Sequence, residues 1–471
     1  MGAKHVPVSR VNALMLKDPK TYREAMKDPR VKQWEEAMRT EIEALEQNNT
    51  WDVIQKPREA KLLHSKGVYK LKMNADGTIE RYKSRLVARG DEQVYGVDYT
   101  FTFSAVMEMI SGKVILAVSR IWGVPARPGD VPSAYIKAEK EDNLKIILHI
   151  PQGKEFDHEL LQKLGVRDKR QVALKLKKGL YSLKQSGRLW NMMLHDILKS
   201  LGFTQCYTDS CLYIKTEADG KTLVGIYVDD VLVTGTSDLG VVTKFLGIAF
   251  KYNAETGWAL NQENNIEEML EKFGLSESAA VRVPMGGDEG DEETALLLSG
   301  GCGSPQRPTV QTFQSLVGSL LWIDRCTRPD IAFAVHGVMR RSHAPTEGDW
   351  RLEKKIAKYL KGTKGLKFMI HGDKAAMKAG VLVEAYSDAD NYAYKSDRNS
   401  VSGGALMMGG MVVVWVCKKK NCVALSTMEA EFVVASQTAA EMMGIMELLQ
   451  EIGVPIKLGS IVHIDNQASI A

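Results

Sequence analysis

The sequence predicts a multidomain protein that combines α+β and α/β parts. Its 471 residues are more than a single hydrophobic core usually supports. Segments with helical spacing of apolar residues alternate with segments of β-type alternation along the chain. Residues 285–309 are rich in turn formers and acidic residues and show no periodicity, which is typical of a linker. With 44% hydrophobic and 25% charged residues, the parts on either side can bury cores of their own.

Composition excludes several classes of protein. The chain has no run of about 18 consecutive apolar residues, and its N-terminus MGAKHVPVSR lacks the apolar stretch of a secretory signal. We therefore expect an intracellular protein without a membrane-spanning segment. The six cysteines form no CxxC pair, so neither a zinc site nor a disulfide framework is predicted.

The first elements are a helix and a basic hairpin. Apolar residues at helical spacing predict a helix over residues 30–48 that ends at the pair Asn48-Asn49. Two alternating runs around Asp76-Gly77 predict a β-hairpin. Residues 51–90, which include this hairpin, hold ten Lys and Arg against four Asp and Glu. This segment could bind polyanions or be a solvated charged face, and the pattern leaves both open.

The later elements alternate between the two types. Apolar spacing predicts helices over residues 108–122, 187–200, 266–273, 310–339 with a break near Pro329, 350–360 and 427–450. A strand entering a short turn is predicted over residues 125–138, and strands alternate with the last helix from about residue 366 onwards. No repeat of fixed period is present.

Residues 224–236, VGIYVDDVLVTGT, predict a second hairpin with Asp229 and Asp230 at its turn. Acidic pairs are common in turns, because Asp tolerates unusual backbone angles. Between two apolar runs, however, such a turn presents its carboxylates to a cleft. Gathered carboxylates repel one another unless a divalent cation neutralises them, and their hard oxygens select Mg²⁺ or Mn²⁺. Asp130, which ends a strand-like segment in GDVPSAYIKA, is the further carboxylate that such a centre needs.

At this point the sequence resembles the Pol polyprotein of copia-type LTR retrotransposons. The matching stretches run in family order over nearly the whole chain and include WEEAMRTEIEALEQNNTWDVI, RYKSRLVARG, GLYSLKQSGRLW, YVDD, SLVGSLLWIDRCTRPDIAFAV, YSDAD, VALSTMEAEF and HIDNQASIA. The resemblance implies reverse transcriptase fingers, palm and thumb followed by a ribonuclease H-like domain. The implied segments are an N-terminal helical lead-in (1–50), fingers and palm (51–250), a thumb-like helical segment (251–284), a linker (285–309), a helical connection (310–365) and a ribonuclease H-like domain with a truncated end (366–471).

The resemblance assigns polymerase roles. Asp130 and Asp229 would hold two metal ions, with Asp230 of lesser weight because adjacent strand-end side chains point to opposite faces. Tyr135 would lie under the nucleotide sugar and exclude a 2′-hydroxyl, although an ordinary core tyrosine is the alternative.

Three further residues would contact the nucleotide. Lys83 and Arg85 on the basic hairpin would neutralise the triphosphate, with plain solvent exposure as the alternative. Gln185 would line the nucleotide pocket; here the sequence reads GLYSLKQ where the family usually has SLYGLKQ.

The resemblance also assigns a ribonuclease H site to Asp388, Glu431 and Asp465. Each carboxylate alone is typical of a protein surface, but together and in this order they form a second two-metal site suited to attack of water on an RNA phosphodiester. Glu429 and Asp390 are neighbouring alternatives. Glu431 is preferred because it directly precedes the aromatic residue in AEF, and Asp388 because it is the first acid after the apolar strand.

The implied function is RNA-directed DNA synthesis with degradation of the RNA strand of the hybrid. The implied partners are an RNA template, a DNA or RNA primer, the RNA–DNA hybrid and deoxynucleoside triphosphates, in the cytoplasm within a retrotransposon particle or in the nucleus. Two departures from the family pattern favour an alternative, a catalytically inactive remnant that only binds nucleic acid. A palm helix expected between YVDDVLVTGT and Asp238 is missing, and the sequence stops at Ala471. A third reading is a solitary ribonuclease H on an inert scaffold.

Overall fold

The computed structural model divides the chain into two compact units. The first unit comprises residues 1–105 and 132–197, and the second comprises 106–131 and 198–471. The structure describes residues 18–73, 79–218, 220–235, 244–286, 295–300, 304, 308–372, 379–390, 400–420, 424 and 426–466. The predicted turn at Asp76-Gly77, much of the predicted linker and the departure after residue 235 lie outside the described residues. The boundaries drawn from the sequence stay predictions.

Helices and strands are mixed throughout both units, which confirms the predicted α and β content. In chain order, the helices are α1 (Tyr22–Ala25), α2 (Val31–Gln47), α3 (Met109–Trp122), α4 (His158–Lys163), α5 (Ser186–Ser200), α6 (Glu263–Lys272), α7 (Val310–Thr327), α8 (Ala332–Met339), α9 (Glu347–Gly362) and α10 (Thr427–Glu451). The strands are β1 (Trp51–Gln55), β2 (Ser65–Met73), β3 (Ile79–Ala88), β4 (Arg127–Asp130), β5 (Ile147–Leu148), β6 (Val172–Leu176), β7 (Thr204–Gln205), β8 (Leu212–Glu217), β9 (Gly220–Tyr227), β10 (Asp230–Gly235), β11 (Lys244–Phe245), β12 (Ile248–Asn253), β13 (Gly257–Asn261), β14 (Phe368–Ile370), β15 (Val383–Asp390), β16 (Val401–Met408), β17 (Met411–Lys419) and β18 (Ile461–Ile464).

The first unit packs α2 against antiparallel strands. β2 and β3 form the predicted hairpin, and β6 lies between β1 and β5 in a three-stranded sheet. α2 confirms the first predicted helix: its Trp34 is fully buried, edge-on to the rings of Tyr69 and Tyr82. The helix ends at Gln47 with Asn48 as its C-cap, and the positive φ of Asn49, 53°, turns the chain out of the helical path.

The second unit contains a five-stranded antiparallel sheet in the order β4-β10-β9-β8-β7. α3 packs against β9 and β10 through apolar side chains. At Gly225 on β9 this packing leaves no room for a side chain, because an added Cβ would lie 2.4 Å from Ile115 Cδ1 and 2.7 Å from Met107 Sδ. The predicted hairpin is therefore confirmed over residues 224–235, as two inner strands of a sheet that α3 covers on one face.

A four-stranded antiparallel sheet, β11-β12-β13-β14, corrects one expectation. The sequence predicts residues 251–284 to be a helical segment, but this range contains β13 and the end of β12 besides α6. β13 is held by long-range contacts: Trp258 is fully buried, pairs opposite Ile370 of β14, and donates its indole N–H to Ser119 Oγ at 2.9 Å. The helical prediction is wrong for Gly257–Asn261.

Helices α6 to α9 share one hydrophobic core. Buried side chains from all four helices meet in it, among them Ile266, Phe313, Val335 and Leu360. The break predicted near Pro329 is confirmed as a short 3-10 turn between α7 and α8. The helix of the predicted thumb-like segment and the predicted connection therefore pack together and not as separate bodies.

The last sheet has the order β17-β16-β15-β18. β15, β16 and β17 are antiparallel neighbours, whereas β18 runs parallel to β15. α10 packs on β15 and β16. This is the mixed sheet with a flanking helix that the resemblance implies for residues 366–471.

α10 is the one helix of the described residues that is long and apolar enough to cross a membrane. Such a helix is weak evidence by itself, because core helices pass the same test. In α10 the residues Ala430, Val434, Ile445 and Leu449 are buried against the protein. One face of α10 is therefore packed against the protein.

Two cations on α3 are buried inside the second unit. Arg120, which is 3% exposed, donates to the carbonyl oxygens of His371 at 2.9 Å and Ala254 at 2.5 Å, and also to that of Glu255. Lys113, also 3% exposed, donates to the carbonyl oxygen of Arg325 at 2.9 Å. Both side chains thus join α3 to segments much later in the chain.

The Lys113 amine also lies against the last sheet. It is 3.1 Å from the ring centroid of Trp415 on β17, whose indole N–H donates to Asp324 Oδ1 at 3.3 Å. Burial lowers the pKa of Lys113 to about 7 and raises that of Asp324 to about 6. α3, the end of α7 and the last sheet therefore meet at one buried polar group.

The C-terminal end of α10 is also bonded to the segments that flank and form the five-stranded sheet. The Glu451 carboxylate accepts bonds from the backbone N–H groups of Tyr207 at 2.6 Å and Thr208 at 3.2 Å, and from Thr208 Oγ1 at 2.6 Å. Lys221 on β9 donates to the carbonyl oxygen of Gly453 at 3.1 Å. These contacts hold the helix that carries Glu431 against the sheet that carries Asp229.

Glu353 on α9 gives a prediction about stability. Its side chain is fully buried, and burial, followed by the charge of Asp349, raises its pKa to about 10. Between about pH 4.5 and pH 10 the folded chain keeps a proton that the unfolded chain releases. The free energy of unfolding should therefore fall as pH rises through this window, by at most about 1.4 kcal/mol per pH unit.

Glu353→Gln is expected to remove this slope and to stabilise the chain at pH 9 by roughly 1–3 kcal/mol. The measurement is chemical denaturation at pH 6 and pH 9, followed by tryptophan fluorescence. Glu347→Gln, at the exposed first turn of the same helix, is the matched control and should leave the slope unchanged. Equal slopes for the parent chain and the Glu353 variant would contradict a proton held at this position.

Candidate active site

The first set of carboxylates stands where β4 and β10 begin to pair. Asp130, the last residue of β4, lies directly opposite Asp230, the first residue of β10. Opposite residues of an antiparallel pair place their side chains on one face of the sheet. Asp229 occupies the hairpin turn between Tyr227 and Asp230, and its carbonyl oxygen accepts the Val131 N–H at 3.0 Å. The structure thus brings the three predicted aspartates together.

The turn itself has an unusual backbone. Val228 has a φ of +59°, a left-handed conformation that β-branched residues rarely adopt. Such backbone strain costs of order 1–3 kcal/mol and clusters at functional sites. Strand pairing on both sides holds the turn in this conformation. Asp229 is the residue that follows Val228 in this turn.

The charges of this set favour a bound cation. Partial burial, followed by the charges of Asp229 and Asp130, raises the pKa of Asp230. Like charges at one strand end repel, and a divalent cation with oxygen ligands would relieve that repulsion. The donor set, carboxylate oxygens alone, is the one that Mg²⁺ and Mn²⁺ prefer. The chemistry of the donor set therefore fits such an ion, but its three carboxylates do not all bring an oxygen within 4.8 Å of one another in this structure.

The second set lies at the matching ends of two parallel strands. Asp388 is near the end of β15, and Asp465 follows β18, which pairs with β15 up to Ser387 opposite Ile464. Glu431 comes from the second turn of α10, above the same sheet. Carboxylate oxygens of Asp388, Glu431 and Asp465 all lie within 4.8 Å of one another, the one such acidic, histidine or cysteine group among the described residues.

Glu431 has the strongest signature of a metal ligand. It is 6% exposed; one carboxylate oxygen accepts the Ala389 N–H at 3.1 Å, while the other finds no hydrogen-bond donor in the described part of the chain. Burial, then the charges of Asp388 and Asp465, raise its pKa. A buried carboxylate oxygen without a donor, facing two more carboxylates, fits a divalent cation.

The neighbouring alternatives are placed differently. Glu429 is exposed and belongs to the first turn of α10, where its backbone N–H is capped by Ser426 Oγ at 3.1 Å. The side chain of Asp390 lies outside what the structure describes. The geometry therefore selects Glu431 over Glu429, as the sequence does.

In the first unit, two of the predicted nucleotide-binding residues contact the same aromatic ring, that of Tyr181. The Arg85 guanidinium lies 5.0 Å from the ring centroid of Tyr181, and the Tyr135 ring stands edge-on to the same ring at 5.6 Å. Lys83, two residues before Arg85 on β3, is on the same side of the strand, and both are half-buried. Tyr181 was not singled out from the sequence, although it lies in the matching stretch GLYSLKQ.

Gln185 is not placed as the sequence predicts. It is fully buried; its amide donates to the carbonyl oxygen of Asp98 at 2.9 Å and accepts from Gln93 Nε2 at 3.0 Å. A side chain closed off from solvent supports its surroundings and does not present its amide to a ligand. Direct contact with a nucleotide is therefore contradicted in this conformation.

Lys420 is a further residue of the second set that the sequence analysis missed. Its side chain is buried and donates to the carbonyl oxygen of Ala430, and its charge opposes the rise in the pKa of Glu431. A lysine just after the strand β17 gives no sequence signal of this role, because only the fold brings it to the start of α10.

Comparisons with known proteins identify the family. A family model described as reverse transcriptase (RNA-dependent DNA polymerase) matches residues 48–287, about half of the chain. The Pol polyprotein from transposon TNT 1-94 of Nicotiana tabacum is 32% identical over 484 residues, which cover 96% of this chain and 34% of that protein. The Pol polyprotein from transposon RE1 of Arabidopsis thaliana is 32% identical over 470 residues, covering 95% and 30%.

The chain spans about a third of the length of these relatives. A solved foamy viral protease-reverse transcriptase in complex with double-stranded DNA aligns with a TM-score of 0.44 and 9% identity, covering 92% of this chain and 63% of that one. Likeness at that level carries no argument about fold or ligand. Family model and relatives agree with the motifs of the sequence: the chain belongs to the reverse transcriptase family, as a copia-type Pol polyprotein.

Proposed function

We propose that the chain is an RNA-directed DNA polymerase with an associated ribonuclease H activity. The observation that carries the proposal is the pairing of Asp130 with Asp230 beside Asp229, within the region that matches the reverse transcriptase family. A second carboxylate set of the composition that phosphodiester hydrolysis needs lies in the same unit. Two sites of this kind suit copying of an RNA strand and then its removal.

In the polymerase site, the three aspartates would hold two Mg²⁺ ions. Bound there, the ions would lower the pKa of the primer 3′-hydroxyl and neutralise the charge of the leaving pyrophosphate. The chain contributes geometry: strand pairing fixes Asp130 and Asp230, and the strained turn fixes Asp229. Lys83 and Arg85 would bind the triphosphate, and the ring of Tyr135 would lie against the sugar.

In the nuclease site, Asp388, Glu431 and Asp465 would hold metal ions that activate water. The Ala389 N–H fixes one oxygen of Glu431, which leaves the other oxygen directed at the two aspartates. Lys420, held by its bond to the Ala430 carbonyl oxygen, balances part of the negative charge of the set. The products would be a DNA strand and short RNA fragments.

The partners follow from these reactions. An RNA template, a DNA or RNA primer, the RNA–DNA hybrid and deoxynucleoside triphosphates would bind largely through phosphate contacts, so binding would be sequence-tolerant and weaken with salt. The chain would act inside the cell, in a cytoplasmic particle or in the nucleus.

Tyr135 gives a prediction about substrate choice. Tyr135→Val removes the ring that would block a 2′-hydroxyl, so we expect incorporation of ribonucleotides to rise relative to deoxynucleotides by about tenfold to a hundredfold. The measurement is the ratio of kcat/KM for the two nucleotides on one primer–template. Tyr135→Phe keeps the ring and should keep the ratio. An unchanged ratio in the valine variant would place the sugar elsewhere.

The experiment that tests the proposed function is Mg²⁺-dependent extension of a DNA primer on an RNA template by the purified chain. Extension that stops when the divalent cation is chelated supports the proposal. A folded chain that binds the hybrid but adds no nucleotide would instead identify it as the inactive remnant that only binds nucleic acid.

A further inference from the structure

One row of side chains crosses all four strands of the last sheet. His463 of β18 lies beside Tyr386 of β15, which in turn lies opposite Ala405 of β16. Ala405 lies opposite Trp415 of β17. Residues paired in this way project from one face of a sheet. The row thus carries three rings and leaves a gap at Ala405, where the side chain is a methyl group alone.

The rings on both sides of the gap are held in place. Tyr386 and His463 are stacked, with ring centroids 4.3 Å apart and planes at 11°, and His463 Nε2 is 3.3 Å from Glu384 Oε1. The ring of Trp415 is held by its bond to the end of α7 and by the Lys113 amine, 3.1 Å from the ring centroid. Because His463 stacks on the side of Tyr386 away from the gap, the other face of Tyr386 is turned towards it.

The gap has the width of one planar ring. Neighbouring strands lie about 4.8 Å apart, so Tyr386 and Trp415, two strands apart, have backbones separated by roughly 9.5 Å. A flat ring in contact with both side chains needs about 7–8 Å, whereas two stacked rings would need roughly 10.5–12 Å. We call this space between Tyr386 and Trp415, above Ala405, the ring slot.

The ring slot belongs to a cavity that reaches the second set of carboxylates. This cavity has a volume of about 550 Å³, and Asp388 and Asp465 line it together with the slot. Asp388 follows Tyr386 by two residues on β15, and Asp465 follows His463 by two residues. Each carboxylate is therefore about 6.6 Å along the chain from a ring of the row. One ribose can bridge that distance between a base in the slot and a phosphate at the carboxylates.

A nucleobase linked to a phosphate matches this arrangement. The flat faces of bases stack on aromatic side chains. A phosphate at the carboxylate set would share the divalent cations that these carboxylates suit. A base within a duplex is paired and already stacked, so it enters such a slot only when it is unpaired or extruded. An aromatic side chain of another protein would fill the slot but would bring no phosphate to the carboxylates.

We propose that the ring slot binds the base of one unpaired RNA nucleotide and so directs cleavage to the phosphate beside it. The inference rests on the proposed nuclease function, because this phosphate would lie at the cations held by Asp388, Glu431 and Asp465. It adds a site that selects where the RNA strand is cut. The reaction is the same hydrolysis: water adds to the phosphorus, the bond to the 3′ oxygen breaks, and that oxygen leaves with a proton from the water.

The test uses two RNA–DNA hybrids with 2-aminopurine in the RNA strand. In one hybrid this base is an extra nucleotide without a partner, and in the other it is paired with thymine. Affinity is measured by anisotropy of a label on the DNA strand, and stacking by the emission of 2-aminopurine, which is quenched between rings. The parent chain is expected to bind the unpaired hybrid about tenfold or more tightly than the paired one, with quenched emission.

The variants change the slot in two ways. Ala405→Leu fills the gap without removing a ring, so the two affinities should become equal and the emission should stay high. Tyr386→Ala removes one wall of the slot and should have the same effect, whereas Tyr386→Phe keeps the ring and should keep the preference. Ala440→Leu, the same change at an exposed position of α10, is the matched control and should keep the preference as well.

The outcomes separate this inference from the proposed nuclease. A thermal midpoint near that of the parent shows that a variant is folded, and the two Tyr386 variants give the same test if Ala405→Leu does not fold. A parent chain without the preference overturns the inference. So does a folded Ala405→Leu or Tyr386→Ala variant that keeps the preference, or that changes self-association alone, even where hybrid is cleaved. If neither hybrid is cleaved but the preference depends on both residues, the inference stands and the nuclease proposal fails.

Discussion

Asp229→Asn is expected to abolish DNA synthesis while leaving cleavage of the RNA strand intact. The substitution keeps the size of the side chain but removes one carboxylate charge at the turn, where Asp130 and Asp230 are already paired. Weakened charge stabilisation of the transition state by several kcal/mol corresponds to a loss of about a thousandfold or more in rate. The measurement is single-turnover primer extension on an RNA template, beside cleavage of a labelled hybrid.

The matched control is Glu217→Gln, at the exposed end of β8 in the same sheet. It removes one carboxylate charge without touching the hairpin turn, so synthesis should stay within about twofold. If synthesis survives in the Asp229 variant, the polymerase site is not at this turn. If both variants lose synthesis equally, the loss reflects the sheet and not the site.

Glu431→Gln is expected to have the opposite pattern, with hybrid cleavage lost by about a thousandfold or more and DNA synthesis retained. Gln keeps an oxygen that can accept the Ala389 N–H, so the local fold of α10 is preserved. It replaces the oxygen that faces Asp388 and Asp465 with an amide, which cannot supply a charged ligand. The measurement is gel analysis of a hybrid labelled on its RNA strand.

Glu429→Gln is the matched control for this prediction. It lies two residues earlier on the same helix, is exposed, and donates its backbone N–H to Ser426 in either form. Cleavage by this variant should equal that of the parent chain. If cleavage is lost in the Glu429 variant but retained in the Glu431 variant, Glu429 and not Glu431 belongs to the nuclease site.

The elements that the sequence predicted well are those whose cause is local. Trp34 and Leu45 repeat at helical spacing, so α2 could be read directly and is confirmed. The hairpin around Asp229 could be predicted because apolar runs flank an acidic turn, and it is confirmed as β9 and β10. In both cases a few neighbouring residues decide the structure.

What could not be predicted depends on distant partners. β13 was missed because it is completed by β14, which pairs Trp258 with Ile370. Lys113 lies in an otherwise mostly apolar helix, and only the fold reveals the carbonyl oxygen of Arg325 that accepts its hydrogen bond. The burial of Gln185 likewise follows from its bond to Asp98.

For the candidate site, the identities of the residues could be predicted from the sequence better than their arrangement in space. The structure brings the predicted aspartates and glutamate together in two sets, as the order of the motifs suggests, and their catalytic roles stay predictions. The importance of Asp230 for the site could not be judged from the sequence. The alternation of side chains along one strand does not reveal which residue of the neighbouring strand lies opposite. The register places Asp230 opposite Asp130, on the same face of the sheet.

The buried contacts of α3 have a consequence for synthesis of the protein on the ribosome. Arg120 is made 251 residues before His371, and Lys113 is made 212 residues before Arg325. At about 5–20 residues per second, the Arg120 side chain waits roughly 10–50 s for the last of its three acceptors. During that time a cationic helix with a large apolar face has no complete partner. Chaperone dependence of nascent chains should therefore peak before residue 371 emerges and decline once β14 has paired.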